Sequence, residues 1–355
     1  MNAYNRVNFL FFGIGLIISA LVVVALSLPI FGINIPFYIP AVPLAIVNLV
    51  HLARIIPFLY FEGPVRRKDP FKEGDWNQVV TTIPGKPVRG LSSYFRPQSI
   101  QNQVRTTVNS YVIDNGPDSP IVMILHGWES SPHASSKRAQ QFLADGWTVV
   151  LFEMRGHCSN TWNGLWNGER IRKDVEASII DVENYLGRKV SDQRAAFYGH
   201  SFGGFVGIRI LNENSQGFSE LILESPMTVY SEIFKEISKR NILLKLFRPI
   251  TKNRIVKVWG RLHPNSKVNS ISDTDVPNWG FPTIPTLLIQ SENDNRLGRA
   301  HYDAYINCIE DRENNRFLEY HLLDSLNHSG HGINATRDAT IKMWLNREDE
   351  SLLLD

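Results

Sequence analysis

Gly199-His200-Ser201-Phe202-Gly203-Gly204 lies between a strand-like run, residues 194–198, and a helix-like run, residues 205–211. A chain that turns from strand to helix within so few residues needs a sharp bend, and glycines on both sides of Ser201 remove the side chains that would obstruct it. Such a bend holds the serine hydroxyl clear of the backbone at the carboxyl end of a strand, where an attacking oxygen has to sit. The turn therefore constrains fold and chemistry together. A G-x-S-x-G pattern also arises by chance around ordinary loop serines, so the rest of the chain must supply its partners.

Three further stretches supply them. Ile121-Val122-Met123-Ile124-Leu125-His126-Gly127-Trp128 is a continuous apolar run ending in His-Gly, the pattern of a buried parallel strand opening into a loop. In acyl transfer, such a loop and the residue after the nucleophile each present one backbone N–H to the developing oxyanion, which makes Trp128 and Phe202 the candidate donors. His126, at the strand end, reads as a packing and hydrogen-bonding residue. Thr286-Leu287-Leu288-Ile289-Gln290 is a second buried-strand signal and runs into Ser291-Glu292-Asn293-Asp294. A carboxylate there can orient an imidazole and stabilise its charged form. Asp294, deeper in the loop, is favoured over Glu292. The third stretch is the run 317–323, then Asp324-Ser325-Leu326-Asn327-His328-Ser329-Gly330-His331-Gly332, then a helical segment over 336–345. A general base belongs between the last strand and the last helix when the chain order is serine, acid, histidine. His328 is favoured because it follows the strand closely and leaves room for a turn; His331, with glycine on both sides, is the alternative.

Together these stretches resemble the α/β-hydrolases of the serine esterase, lipase and peptidase-like group, over residues 109–348. Leu151-Phe152-Glu153-Met154-Arg155-Gly156-His157-Cys158-Ser159 resembles the family's strand and Arg-Gly-His-Gly-x-Ser loop, with Cys158 where the family carries glycine. The resemblance implies Ser201 as nucleophile, Asp294 as acid, His328 or His331 as base, and Trp128 and Phe202 as oxyanion donors, with no metal or cofactor. It also implies cleavage of carboxylic esters in a small-molecule or lipid-like acyl substrate through an acyl-enzyme. Acyltransferase, thioesterase or peptidase chemistry would use the same triad. A non-catalytic, membrane-anchored binding protein is the alternative from another class.

The N-terminus carries a different signal. Residues 8–31 contain no charged side chain and are dominated by Leu, Ile, Val and Phe, and about 20 apolar residues suffice to cross a bilayer as a helix. A secretory signal has a shorter apolar region and a clear cleavage site, whereas Ala25-Leu26-Ser27 is a weak one, so a retained membrane anchor is expected. A second hydrophobic stretch, 36–61, is broken by Pro40, Pro43 and Pro57 and carries His51 and Arg54. It reads as a second span near 42–60, or else as a re-entrant or surface-lying segment. Arg6 precedes the first stretch and Arg66-Arg67-Lys68 follow the second, and the segment between the two stretches has no charge. Positive residues stay on the cytoplasmic side, which predicts both ends of a hairpin, and the catalytic domain, facing the cytoplasm.

The chain thus divides into an anchor of one or two hydrophobic spans, 1–61, a linker, 62–78, and an α/β domain, 79–355. Strands are expected at 79–83, 90–95 and 104–113. Strands starting at Ile121, Thr148 and Ala195 then alternate with helices over 133–145, 172–186 and after the serine turn. This alternation predicts a mostly parallel central sheet with helices on both faces. A small helical cap is expected over 228–284, because 233–261 reads as one or two basic amphipathic helices, which could instead lie on a membrane. Asp174 reads as a structural acid near a helix N-terminus, and Trp162 and Trp166 as residues of the pocket mouth. Thirty-seven Lys and Arg against 35 Asp and Glu give a net charge of +2, which argues against nucleic acid as a partner. Cys158 and Cys308 lie far apart, without metal-site spacing, and read as free thiols.

Overall fold

A computed structural model describes residues 105–160, 168–213, 217–240, 245, 248–262, 268–310, 318–328 and 333–347, with 71–84 except 73. Near the N-terminus it describes helical residues within 13–24 (except 14 and 23) and 39–50 (except 40). Among the described residues, eight strands form one sheet in the order β1-β2-β4-β3-β5-β6-β7-β8. They are β1 Asn77–Pro84, β2 Arg105–Ile113, β3 Ile121–Leu125, β4 Thr148–Phe152, β5 Ala195–His200, β6 Glu220–Glu224, β7 Thr286–Ser291 and β8 Leu318–Leu323. β1 and β2 pair antiparallel, β2 joins β4 antiparallel, and every later pairing is parallel. This is the expected α/β-hydrolase architecture.

The central strands are largely apolar because both faces are covered. Met123, Leu125, Val150, Phe152, Phe197, Leu221, Leu223 and Leu288 point to one side. There they meet Ile171, Val175, Ile179 and Val182 of α2 (Gly168–Leu186) and Phe205, Val206 and Ile208 of α3 (Phe202–Glu213). The alternate residues Val122, Ile124, Val149, Leu151, Tyr198, Ile222, Leu287 and Ile289 face the other side. Their partners are Phe142 of α1 (Pro132–Ala144) and Ile341, Trp344 and Leu345 of α7 (Ala335–Leu345). A side-chain period of two has thus sorted each strand between two cores.

Among the described residues, the region expected to be a cap contains two α-helices, α4 Tyr230–Arg240 and α5 Arg248–Leu262; α6 Arg299–Glu310 follows β7. On α5, Thr251, Ile255 and Trp259 are buried at helical spacing. Trp259 packs on Trp279 with centroids 5.0 Å apart, and Trp279 stacks on Phe205 of α3 at 4.5 Å. Aromatic packing therefore fastens this insertion to the helix that follows the serine turn.

One expectation changes, and two others fall wholly or partly outside the described residues. The strand expected over 90–95 lies outside the described residues. The expected linker reaches less far than residue 78: Asn77 and Gln78 already pair with Val112 and Tyr111, and buried Phe71 packs on the Tyr111 ring at 4.7 Å. Among the described residues, no helix is long and apolar enough to cross a membrane. The remainder of both expected spans lies outside the described residues.

Candidate active site

Ser201 follows β5 directly and holds a left-handed backbone, φ 54°, a conformation that costs a residue with a side chain about 1–2 kcal/mol. Its surroundings enforce it. The Ser201 N–H donates to the Glu224 carbonyl at 2.9 Å, and the Ser201 carbonyl accepts from the N–H groups of Met227 and Gly204, both at 3.0 Å. A Cβ on Gly203 would lie 2.1 Å from the Leu125 carbonyl oxygen, so only glycine lets the start of α3 rest against the end of β3.

His328 lies in the segment after β8, and its ring bridges two groups contributed by distant elements. Nε2 is 3.0 Å from Ser201 Oγ, and Nδ1 is 2.7 Å from Asp294 Oδ2. The carboxylate only accepts, so Nδ1 carries the proton and Nε2 is left to accept from the serine hydroxyl. Asp294 is fixed in turn: Gln290 Nε2 donates to Oδ2 at 3.0 Å, and the N–H groups of Arg296 and Leu297 donate to Oδ1, both at 2.9 Å. Burial pushes this carboxyl up, but the His328 hydrogen bond and charge, with the two backbone donors, outweigh it and hold the group at about 2. Such an arrangement can withdraw a proton from an alcohol and hold the resulting imidazolium beside an ionised carboxylate. Glu292 is not part of it; its N–H serves the Leu323 carbonyl. His331 lies outside the described residues.

Of the two expected oxyanion donors, Phe202 directly follows the serine. Phe202 is the first residue of α3, where the helix ladder does not use the N–H. Trp128 follows Gly127, and a Cβ on Gly127 would sit 2.9 Å from the Ser201 Cβ, so this loop touches the serine turn. His126 stays behind the loop: its Nε2 accepts from the Met154 N–H at 3.2 Å and its Nδ1 lies 2.8 Å from the Gly127 carbonyl. That is the packing role expected of it.

The loop after β4 is tied down through Glu153, whose carboxylate accepts from Tyr111 Oη at 2.8 Å and from Ser159 Oγ at 2.9 Å. Cys158 within it has φ 42°, so cysteine carries the left-handed bend for which glycine was expected. Asp174 is structural for a reason other than the one anticipated. α2 begins at Gly168, which puts Asp174 beyond its first turn, and its carboxylate grips the buried Arg155 guanidinium. Trp162 and Trp166 lie outside the described residues, as does any role at a pocket mouth.

A buried charge cluster under the serine turn was not anticipated. Glu224, whose carbonyl holds Ser201, directs its carboxylate to Arg138 of α1, with Nε–Oε2 at 2.7 Å and Nη2–Oε1 at 2.6 Å. The Tyr198 hydroxyl donates to the same carboxylate, and Arg337 of α7 lies 3.6 Å away. One signal in the sequence could have revealed it: Arg138 lies among Ala134, Ser135, Ala139 and Phe142 on the inward face of its helix, where a charge demands a partner.

Among the described residues, no group of His, Cys, Asp and Glu side chains could hold a metal ion. Residues 116–278 match a family described as serine aminopeptidase, S33. A bifunctional esterase/perhydrolase of Acinetobacter calcoaceticus is 33% identical over 98 residues, which is 27% of this chain and 33% of that protein, so the match spans about a third of the relative's length. An esterase of Pyrococcus furiosus has a TM-score of 0.53 and 18% identity, covering 80% of this chain and 98% of its own. An alpha-beta hydrolase from Vibrio vulnificus has a TM-score of 0.51 and 18% identity, covering 83% and 92%. At these identities the structural likeness establishes the fold.

Proposed function

We propose that this chain, with its α/β-hydrolase fold, is a serine hydrolase that cleaves carboxylic esters of a small-molecule or lipid-like acyl substrate. The observation that carries the reading is the position of His328 between Ser201 Oγ and Asp294 Oδ2. In this mechanism His328 Nε2 takes the Ser201 proton as Oγ attacks the carbonyl, and the Trp128 and Phe202 N–H groups stabilise the oxyanion. The imidazolium returns its proton to the leaving alkoxide, which departs as the alcohol. Water then attacks the acyl-serine with His328 again as base, releasing the acid and restoring Ser201. Asp294 remains ionised throughout and holds the ring. Acyl transfer to an alcohol, thioester cleavage and peptide cleavage use the same steps with another acceptor or leaving group.

Product analysis with chromogenic esters of graded chain length, with and without an added alcohol or amine, separates these readings. Free acid is expected as the main product, with amide substrates turned over far more slowly. A dominant transfer product, or a preference for amides, would replace the esterase reading with one of the others.

The reading also includes membrane attachment through the N-terminal helical residues, with the catalytic domain on the cytoplasmic side. Its support is an inside-out pattern. Asn48 Nδ2 donates to Ser19 Oγ at 3.0 Å and Gly15 lies beside Asn48 Oδ1, so small and polar residues meet between the helical stretches. Leu16, Ile17, Ile18, Leu21, Ile46 and Val47 are exposed. Helices packed through small residues and a polar contact, with large apolar side chains outward, suit lipid rather than water. The full chain is expected to resist alkaline extraction from membranes and to protect a C-terminal tag from protease in intact cells. Release into the alkaline supernatant would remove the anchor from the account, and tag cleavage would reverse its orientation.

A further inference from the structure

His200 precedes the nucleophile, and its Nε2 lies 2.9 Å from the backbone carbonyl of His328. A carbonyl only accepts, so His200 Nε2 carries a proton and donates it. The ring is buried and stands 5.4 Å from the His328 ring, centroid to centroid. Glu224 Oε1 is 4.0 Å from the same nitrogen, too far for a hydrogen bond, and that carboxylate is already held by Arg138 and Tyr198. Burial first, and then the Arg138 charge, push the His200 imidazole down to about 3. At neutral pH it is an uncharged ring whose N–H is committed to the His328 carbonyl.

We propose that His200 is a positioning residue that sets the reach of His328 to Ser201 by holding the His328 main chain. The proposal rests on the reading of Ser201, His328 and Asp294 as the reacting triad. His200 and Ser201 are adjacent, so the bond closes a small circuit: the Ser201 turn, the His200 ring, the His328 carbonyl, the His328 ring and back to Ser201 Oγ. On the other side of the segment, Ser291 Oγ donates to the Leu326 carbonyl. The base is therefore held through its backbone from both the β5 and β7 ends, while Asp294 orients only its ring. Displacing a reacting group by about 1 Å can cost about 100-fold in rate, so this grip bears directly on turnover.

The test compares His200→Leu, which keeps bulk and removes the donor, with His200→Gln, whose amide nitrogen can occupy nearly the place of Nε2. Both are made in the full chain and assayed per folded molecule, with folding followed by thermal unfolding. His200→Leu is expected to lower kcat about 10- to 100-fold with KM within about twofold, and His200→Gln to recover kcat to within about threefold of wild type. A structural role alone would change the folded fraction and leave kcat per folded molecule intact. If His200→Leu does not fold, His200→Asn, whose shorter amide cannot reach the carbonyl, takes its place with the same expected loss. Wild-type kcat in the donor-less variant, or an equal loss in folded His200→Gln, overturns the proposal. Fluorophosphonate labelling of wild type is the control: an unlabelled wild type brings down the triad reading and this proposal with it, whereas a labelled wild type confines any failure to His200.

Discussion

Ser201→Ala is expected to lower ester turnover by about four or more orders of magnitude while leaving the fold and thermal stability close to wild type. The loss is large because the covalent route disappears with Oγ; the oxyanion donors and substrate binding can support only a residual rate. Stability should hold because the bonds that fix the turn are made by the backbone of Ser201, to Glu224, Met227 and Gly204, and alanine keeps all three. Alanine also meets the same left-handed strain that serine already bears at φ 54°. Steady-state kinetics on a short-chain ester, with thermal unfolding of the same preparations, checks both halves. Turnover within tenfold of wild type would remove Ser201 from the chemistry.

The second large effect concerns stability. Glu224→Gln keeps the shape of the side chain but leaves the buried guanidinium of Arg138 without its carboxylate, whereas Arg337 keeps its pair with Asp338. Breaking a buried ion pair from one side typically costs about 3–5 kcal/mol, since the uncompensated charge stays out of water. Burial alone would push the Glu224 carboxyl up; the charge and hydrogen bonds of Arg138, with His200 and Arg337, reverse this and hold it far below the usual carboxylate range. Asp294 is also lowered, to about 2. A carboxyl whose folded pKa is depressed contributes stability above its unfolded value, about 4, and that contribution is lost as the pH falls through the folded one. Wild type should therefore lose stability as the pH drops from about 5 toward 2, and Glu224→Gln should be weaker at neutral pH with a shallower acid decline. Denaturant midpoints across that range measure both; an unchanged midpoint at neutral pH would show that the cluster does not hold the turn.

The parts of the fold and site visible in the sequence were those encoded locally. Ile121–Leu125 and the Leu287-Leu288-Ile289 centre of β7 are short apolar runs because strands covered on both faces favour apolar side chains. The serine turn announced itself because its glycines answer a steric demand within a few residues. Asp294 was legible from its place in the loop after a buried strand, and the geometry brings it to His328. His328 was preferred to His331 only for its closeness to the last strand, since nothing local to Asn327-His328-Ser329-Gly330-His331 encodes a distance to Ser201. The Glu224 cluster was hidden for a related reason: Arg138 and Arg337 come from separate helices, 86 and 113 positions away along the chain. Asp174 was assigned to a helix end because its partner Arg155 lies in the preceding loop, out of sight of any helical pattern.

The most direct measurement of the central claim is the location of a fluorophosphonate adduct by peptide mass spectrometry, in wild type and in His328→Ala. A single phosphonyl group on Ser201, formed far more slowly without the imidazole, is the predicted result. An adduct on another residue, an unmodified wild type, or labelling at an undiminished rate in His328→Ala would contradict it.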